Sequence, residues 1–184
     1  IIVRAEIIAV GTELLLGSTI NTNASHIAIR LAEMGIDLYR HTVIGDNAGR
    51  LVAELRAALE RCDLVITTGG LGPTEDDLTK AAVAEALGLP LIRDEHCVRT
   101  IAAFFEKISR EMPQGNLRQA DFPEGALIFD NNAGTAPGCA VERDGKRVIV
   151  LPGPPREMRQ MFEQSVLPYL SGLLNAVIVS RTLH

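Results

Sequence analysis

Three times along its first half the chain repeats one pattern: a short apolar run, a turn, then a helical stripe. The runs are Glu6–Val10, Ile36–Ile44 and Asp63–Thr67. Short apolar stretches bounded by turn residues read as buried strands. The first stripe carries Ala24, Ile27, Ala28, Leu31 and Met34, the second Leu51, Val52, Leu55, Ala58 and Leu59, the third Leu78, Ala82, Val83, Ala86 and Leu87. Each set falls on one face of a helix. Asn21–Asn23 and then Asp46 or Asn47 supply starting caps, and Gly35 and Gly88 supply stops. Strand and helix in strict alternation imply an α/β fold with a parallel sheet covered on both faces.

Beyond this frame the pattern predicts an amphipathic helix over Glu95–Met112 and a polar loop over Pro113–Pro123. Strands follow at Ala126–Phe129, Cys139–Glu142 and Arg147–Leu151, the last two joined by an Asp144-Gly145 hairpin turn. A last helix spans Pro155–Leu167 and is ended by Pro168. Ala176–Leu183 is β-branched and apolar and reads as the first strand of a further region. The expected organisation is one domain over residues 1–170 and a linker over 171–184.

Composition closes several alternatives. The 184 residues are 47% hydrophobic and 22% charged, which is globular and not disordered. The net charge of -5 and the 4% of aromatic residues argue against a nucleic-acid partner, which needs a basic, base-stacking surface. Arg4 and Glu6 interrupt the opening apolar run, so neither a signal peptide nor a membrane partner is expected. Cys62, Cys97 and Cys139 are widely spaced, which argues for buried thiols in a reducing cytoplasm and against a zinc site.

In an open parallel sheet, ligands bind beyond the carboxyl ends of the strands. The segment after the first strand, Gly11-Thr12-Glu13, lacks the G-x-G-x-x-G pattern, and no P-loop occurs anywhere. After the third strand comes Thr67-Thr68-Gly69-Gly70-Leu71-Gly72-Pro73-Thr74, followed by Asp76-Asp77-Leu78-Thr79. Three glycines in four residues let backbone N–H groups approach an anion, and the loop feeds a helix N-terminus. A phosphate beside Asp76 and Asp77 needs a bridging cation, and oxygen donors suit a divalent ion such as Mg²⁺. Asp46 is either a helix cap or another carboxylate of that site. Pro152-Gly153-Pro154-Pro155-Arg156 opens the last helix, with Arg156 near any anion there. Asn131–Gly138 is a loop of small residues that permits close approach.

Taken together, these segments resemble the N-terminal domain of the CinA family (competence/damage-inducible protein A). The motifs are Gly11-Thr12-Glu13-Leu14-Leu15 with Asn21-Thr22-Asn23, the loop Thr67–Thr74 with Asp76–Thr79, Gly134-Thr135-Ala136-Pro137-Gly138, and Leu151–Met158. They occur in this order across about Glu6 to Leu170. The domain is similar to the molybdopterin-binding domain of MoaB/MogA-type proteins, with Leu71 and Pro73-Thr74 in the CinA form. The resemblance implies a three-layer α/β/α molybdopterin-binding fold and a pterin-like or adenine-dinucleotide-like ligand. It also implies a nucleotide pyrophosphatase that hydrolyses ADP-ribose to AMP and a sugar phosphate with a divalent metal (Mg, Mn or Co); haem, flavin and zinc are not expected. A non-catalytic binding module and a molybdopterin adenylyltransferase are the alternatives. Asp46 and Asp77 would be catalytic, and Asp46, Asp76 and Asp77 would hold the metal. The ligand wall would comprise Gly11, Thr12, Glu13, Asn21, Asn23, Thr68, Gly69, Gly70, Leu71, Gly72, Thr74, Thr79, Gly134, Ala136, Pro137, Gly138, Pro152, Gly153 and Pro154. A homo-oligomer, and C-terminal domains such as a nicotinamide-nucleotide amidase, are further implications.

Overall fold

The computed structural model describes residues 3–182. Strands β1 (Arg4–Val10), β2 (Asp37–Ile44), β3 (Leu64–Thr68), β6 (Leu127–Phe129), β7 (Gly138–Arg143) and β8 (Lys146–Leu151) form one sheet in the order β2-β1-β3-β8-β7-β6. The four strands from β2 to β8 run parallel, and β7 and β6 are antiparallel additions at one edge. A separate antiparallel pair joins β4 (Leu91–Arg93) to β5 (Asp121–Pro123).

Side-chain alternation along the central strands divides the core into two layers. Ile8, Val10, Val65, Val148 and Val150 face α3 (Ala48–Arg61), α4 (Thr79–Leu87) and α5 (Glu95–Lys107), packing on Leu51, Leu55, Val83 and Ile101. Ile7, Ile66, Ile149 and Leu151 face α2 (Thr22–Glu33) and α6 (Pro155–Met161), packing on Ile27, Leu31, Met158 and the following Phe162. The three-layer α/β/α architecture, with a mostly parallel sheet, is the one the alternating pattern requires. Asn21 caps α2 by accepting from Ala24 N–H, and Asn47 caps α3 by accepting from Arg50 N–H. Asp144 and Gly145 both have positive φ, as the hairpin turn between β7 and β8 demands.

Four local expectations change. The amphipathic helix stops at Lys107 and not Met112, and the chain turns at Ser109 with φ 54°. Pro113–Pro123 is not a bare loop: Gln114–Ala120 is a 3₁₀ helix that leads into β5, with Asn116, Gln119, Ala120 and Phe122 buried. Pro168 does not end the last helix. A π-turn over Phe162–Val166 precedes it, with Leu167 N–H reaching back to Phe162 O. The widened turn takes up the misfit that a proline ring creates in regular helix, so α7 (Leu167–Thr182) continues through it. The strand expected over Ala176–Leu183 is therefore helix as far as Thr182, and Leu183 lies outside the described residues. Local β propensity is a weak preference, and a helix already running into the segment overrides it.

Candidate functional site

The carboxyl ends of β1, β2, β3 and β8 lie side by side, so the loops that follow them gather around one cavity of about 530 Å³. The glycine-rich loop after β3 forms its floor. Gly69 (φ 104°) and Gly70 (φ 67°) adopt backbone conformations that side chains resist. A Cβ on Gly69 would strike Val10 O, and one on Gly70 would strike the Thr79 hydroxyl.

The loop's carbonyls are tied from behind. Thr79 Oγ1 donates to Gly69 O at 2.9 Å, Thr79 N–H donates to Gly70 O at 3.1 Å, and Gln119 Nε2 donates to Leu71 O at 3.2 Å. In a trans peptide the N–H points opposite to the C=O. The N–H groups of Gly70, Leu71 and Gly72 are thereby turned away from these ties, and no bond to a described residue takes them up. Successive N–H groups of this kind form a concavity that attracts anions.

Carboxylates surround this floor. Asp46 Oδ2 accepts from Thr12 N–H at 3.0 Å, while Thr12 Oγ1 accepts from Asp46 N–H at 3.1 Å, a reciprocal clasp between the loops after β1 and β2. Asp46 is therefore no helix cap, since Asn47 fills that role, and it faces the cavity. Asp77 Oδ2 accepts from both Thr74 N–H (2.9 Å) and Thr74 Oγ1 (2.5 Å). In each aspartate the other oxygen has no bond to a described residue. Asp76 and Glu13 also line the cavity.

The opposite wall comes from α2, β8 and α6. Asn23 is buried, and its Nδ2 donates to Thr68 Oγ1 (2.9 Å) and to Gly153 O (2.7 Å). Gly153 O can only accept, which fixes the amide orientation. Thr68 Oγ1 in turn donates a hydrogen bond to Pro152 O at 2.9 Å. One asparagine thus joins α2 to the loops after β3 and β8. Glu157, in the first turn of α6, faces the cavity and accepts from Asn131 Nδ2 at 2.7 Å.

The structure brings most of the expected wall together: Gly11, Glu13, Asn23, Asp46, Thr68 to Gly72, Thr74, Asp76, Asp77, Ala136 and Pro152 to Pro154 all line the cavity. Seven expected residues sit elsewhere. Thr12 and Thr79 are spent on the clasp and the loop ties. Asn21 caps α2 and contacts His41 Nε2 through Nδ2 at 2.9 Å, and burial lowers the His41 pKa. Gly134 and Pro137 line a neighbouring cavity of about 500 Å³ against α5, and Gly138 packs under Met161 within β7. Arg156 is exposed and off the wall, because α6 turns Glu157 inward. Thr19, Ile20, Thr22, Gln119, Thr135 and Glu157 also line the cavity without having been singled out from sequence. Thr22, Thr135 and Glu157 lie inside the recognised motifs, whereas nothing local distinguishes Gln119.

Among the described residues no three of His, Cys, Asp or Glu stand close enough to hold a metal ion by themselves. Asp46, Asp76 and Asp77 share the cavity but do not form a ready-made cage. This donor set fits an ion of the Mg²⁺ type, which takes one or two carboxylates and completes its shell with phosphate oxygens and water. Among the described residues no helix is long and apolar enough to cross a membrane.

Comparison with known proteins places this architecture. Residues 6–172 match the family model described as "Probable molybdopterin binding domain". A CinA-like protein of Kosmotoga olearia is 51% identical over 98% of the chain, which spans 44% of that longer protein. The crystal structure of CinA from Thermoplasma acidophilum superposes with a TM-score of 0.81 at 37% identity, covering 87% of this chain and 94% of that one. The molybdopterin biosynthesis enzyme MoaB from Thermus thermophilus shares the fold, with a TM-score of 0.62 at 24% identity over 95% and 96% of the two chains. The chain belongs to the molybdopterin-binding-domain family, as the MoaB/MogA-like domain found in CinA proteins.

Proposed function

We propose that this domain is a divalent-metal-dependent nucleotide pyrophosphatase that hydrolyses ADP-ribose, or a related adenine dinucleotide, to AMP and a sugar phosphate. The observation that carries the reading is the pairing of three N–H groups without a bond to a described residue, at Gly70, Leu71 and Gly72, with carboxylates around the same cavity. An anion meets the amides, and the carboxylates would repel it unless a cation lay between. A dinucleotide supplies the anion, and the cavity volume suits a ligand of that size.

In the reaction, water attacks one phosphorus of the diphosphate and the bridging P–O bond breaks. The oxygen of water stays on that phosphorus, and the bridging oxygen leaves with the other phosphate. Asp46, Asp76 or Asp77 would hold a divalent ion, which would supply charge neutralisation on the phosphoryl oxygens. The loop amides hold one phosphate in place. Whichever of Asp46 and Asp77 does not hold the ion orients the water with its free oxygen and receives the proton. Asn23, Thr68 and the Pro152–Pro154 turn keep the two phosphate-facing loops at fixed separation.

Incubating the protein with ADP-ribose and Mg²⁺, Mn²⁺ or Co²⁺ tests this directly. AMP and ribose 5-phosphate are expected by chromatography, and their absence with every metal would sink the hydrolase. Calorimetric binding without product would leave a pterin- or nucleotide-binding module. Turnover only with molybdopterin plus ATP would identify an adenylyltransferase. Three buried free thiols support a reducing, cytoplasmic setting. C-terminal domains and self-association are proposed from the family alone.

A further inference from the structure

The peptide between Leu71 and Gly72 is the part of the glycine-rich loop that α4 does not hold. Its carbonyl is tied by Gln119, whose side chain is 2% exposed. Gln119 is itself locked twice. Asn116 Nδ2 donates to its Oε1 at 3.0 Å, and the Lys80 ammonium donates to its backbone carbonyl. Leu71 O can only accept, so the Gln119 atom facing it is the amide nitrogen.

Lys80 is 6% exposed and lies 4.0 Å from the centre of the Phe122 ring. It shares a cavity of about 340 Å³ with the back of the loop, at Gly70, Leu71 and Gly72, and with Gln119, Asp77, Arg118 and Asp121. Burial pushes its pKa down to about 8. A buried ammonium weakens a fold, and an apolar chain of similar length is commonly better for stability. The bond to the Gln119 carbonyl and the place over the Phe122 ring offset part of that cost. The opposite side of the loop gives the charge a further use, because three N–H groups there have no bond to a described residue.

We propose that Gln119, locked by Lys80 and Asn116, is a positioning residue that aims Gly72 N–H into the cavity, and that the Lys80 ammonium behind the loop strengthens its hold on a phosphate-bearing ligand. This rests on the phosphate-site reading above. It adds a second layer to that site from a segment remote in sequence from the recognised motifs.

The test is titration of the whole chain with inorganic pyrophosphate and with ADP-ribose, by calorimetry and by amide NMR. In the wild type the Gly70, Leu71 and Gly72 amide signals move on binding. Gln119→Leu is expected to bind about tenfold more weakly, the scale of a mis-aimed hydrogen bond to a charged group. Its Gly72 signal should then stay still while those of Gly70 and Leu71 still move. Lys80→Met is expected to melt at higher temperature yet bind several-fold more weakly, opposite directions that a merely structural lysine would not produce. That variant also decides the matter if Gln119→Leu fails to fold. A wild type that binds neither ligand overturns the phosphate-site reading and this proposal together. A wild type that binds, with both variants binding equally well, overturns this proposal alone.

Discussion

Asp46 and Asn47 are adjacent acid and amide, and the fold gives them unrelated tasks. Asn47 Oδ1 accepts from Arg50 N–H at 2.9 Å and so satisfies a free donor at the start of α3. Asp46 turns the other way, to Thr12 and the cavity. Asn47→Ala is expected to cost about 1 kcal/mol in urea unfolding, the usual loss for a helix cap, and to leave ligand binding intact. Asp46→Asn keeps an oxygen for Thr12 N–H, so stability should stay within about 0.5 kcal/mol while metal-dependent turnover falls at least tenfold. If Asp46→Asn unfolded the protein instead, the clasp and not the site would be its main role. From spacing alone the two residues were interchangeable, since either can cap a helix. Only the path of the chain after β2 separates them.

Among elements, α4 and its preceding loop act as one unit. Thr79 ties two carbonyls of the loop, with N–H on Gly70 O and hydroxyl on Gly69 O. It was legible as a site residue because it ends the recognised loop motif, but its contribution is indirect. Thr79→Val deletes the hydroxyl in a buried place and leaves Gly69 O without that donor. The expected loss is about 1–2 kcal/mol in stability, with weaker pyrophosphate binding, and Thr79→Ser should restore both. A valine variant that kept wild-type affinity would mean the loop holds its shape without α4. The βαβ frame was readable because period-2 and period-3.6 patterns alternate cleanly there. The Gln119 segment was not. Asn116 and Gln119 look like surface polar residues, and nothing nearby in sequence announces that their partners are Leu71 and the buried Lys80. The last helix was misread for a related reason: Pro168 normally stops a helix, and the π-turn that accommodates it runs over Phe162–Val166, where Phe162 and Val166 are buried in the core. Most of the site's first layer was legible, and the layer that orients it was not, because those bonds join residues far apart in the chain.

At the scale of the whole molecule, buried ionisable groups set how stability responds to pH. Lys80 titrates at about 8 when folded, against 10.5 as a free side chain. Between these values the unfolded chain binds more protons, so Lys80 makes stability rise with pH through that window. Its charge costs the fold about 3 kcal/mol at neutral pH, taking about 1.4 kcal/mol per unit. Burial acts oppositely on the cysteines: Cys62 is pushed up to about 11, and Cys97 and Cys139 to about 12, from a usual 9.0. Above pH 9 the folded state holds more thiol protons than the unfolded one, and stability falls as pH rises. Three falling contributions oppose one rising contribution, so the thermal midpoint should climb from pH 8 to about 9 and decline beyond it. Lys80→Met should remove the climb and leave the decline. A cysteine-to-alanine variant at Cys139 should soften the decline and leave the climb. Melting curves every half unit from pH 7 to 11, with the two variants beside the wild type, check both signs at once. A wild-type profile that Lys80→Met does not alter would mean that the ammonium reaches solvent and carries no such cost. The account of why the fold tolerates a buried charge behind its anion-facing loop would then lose its footing.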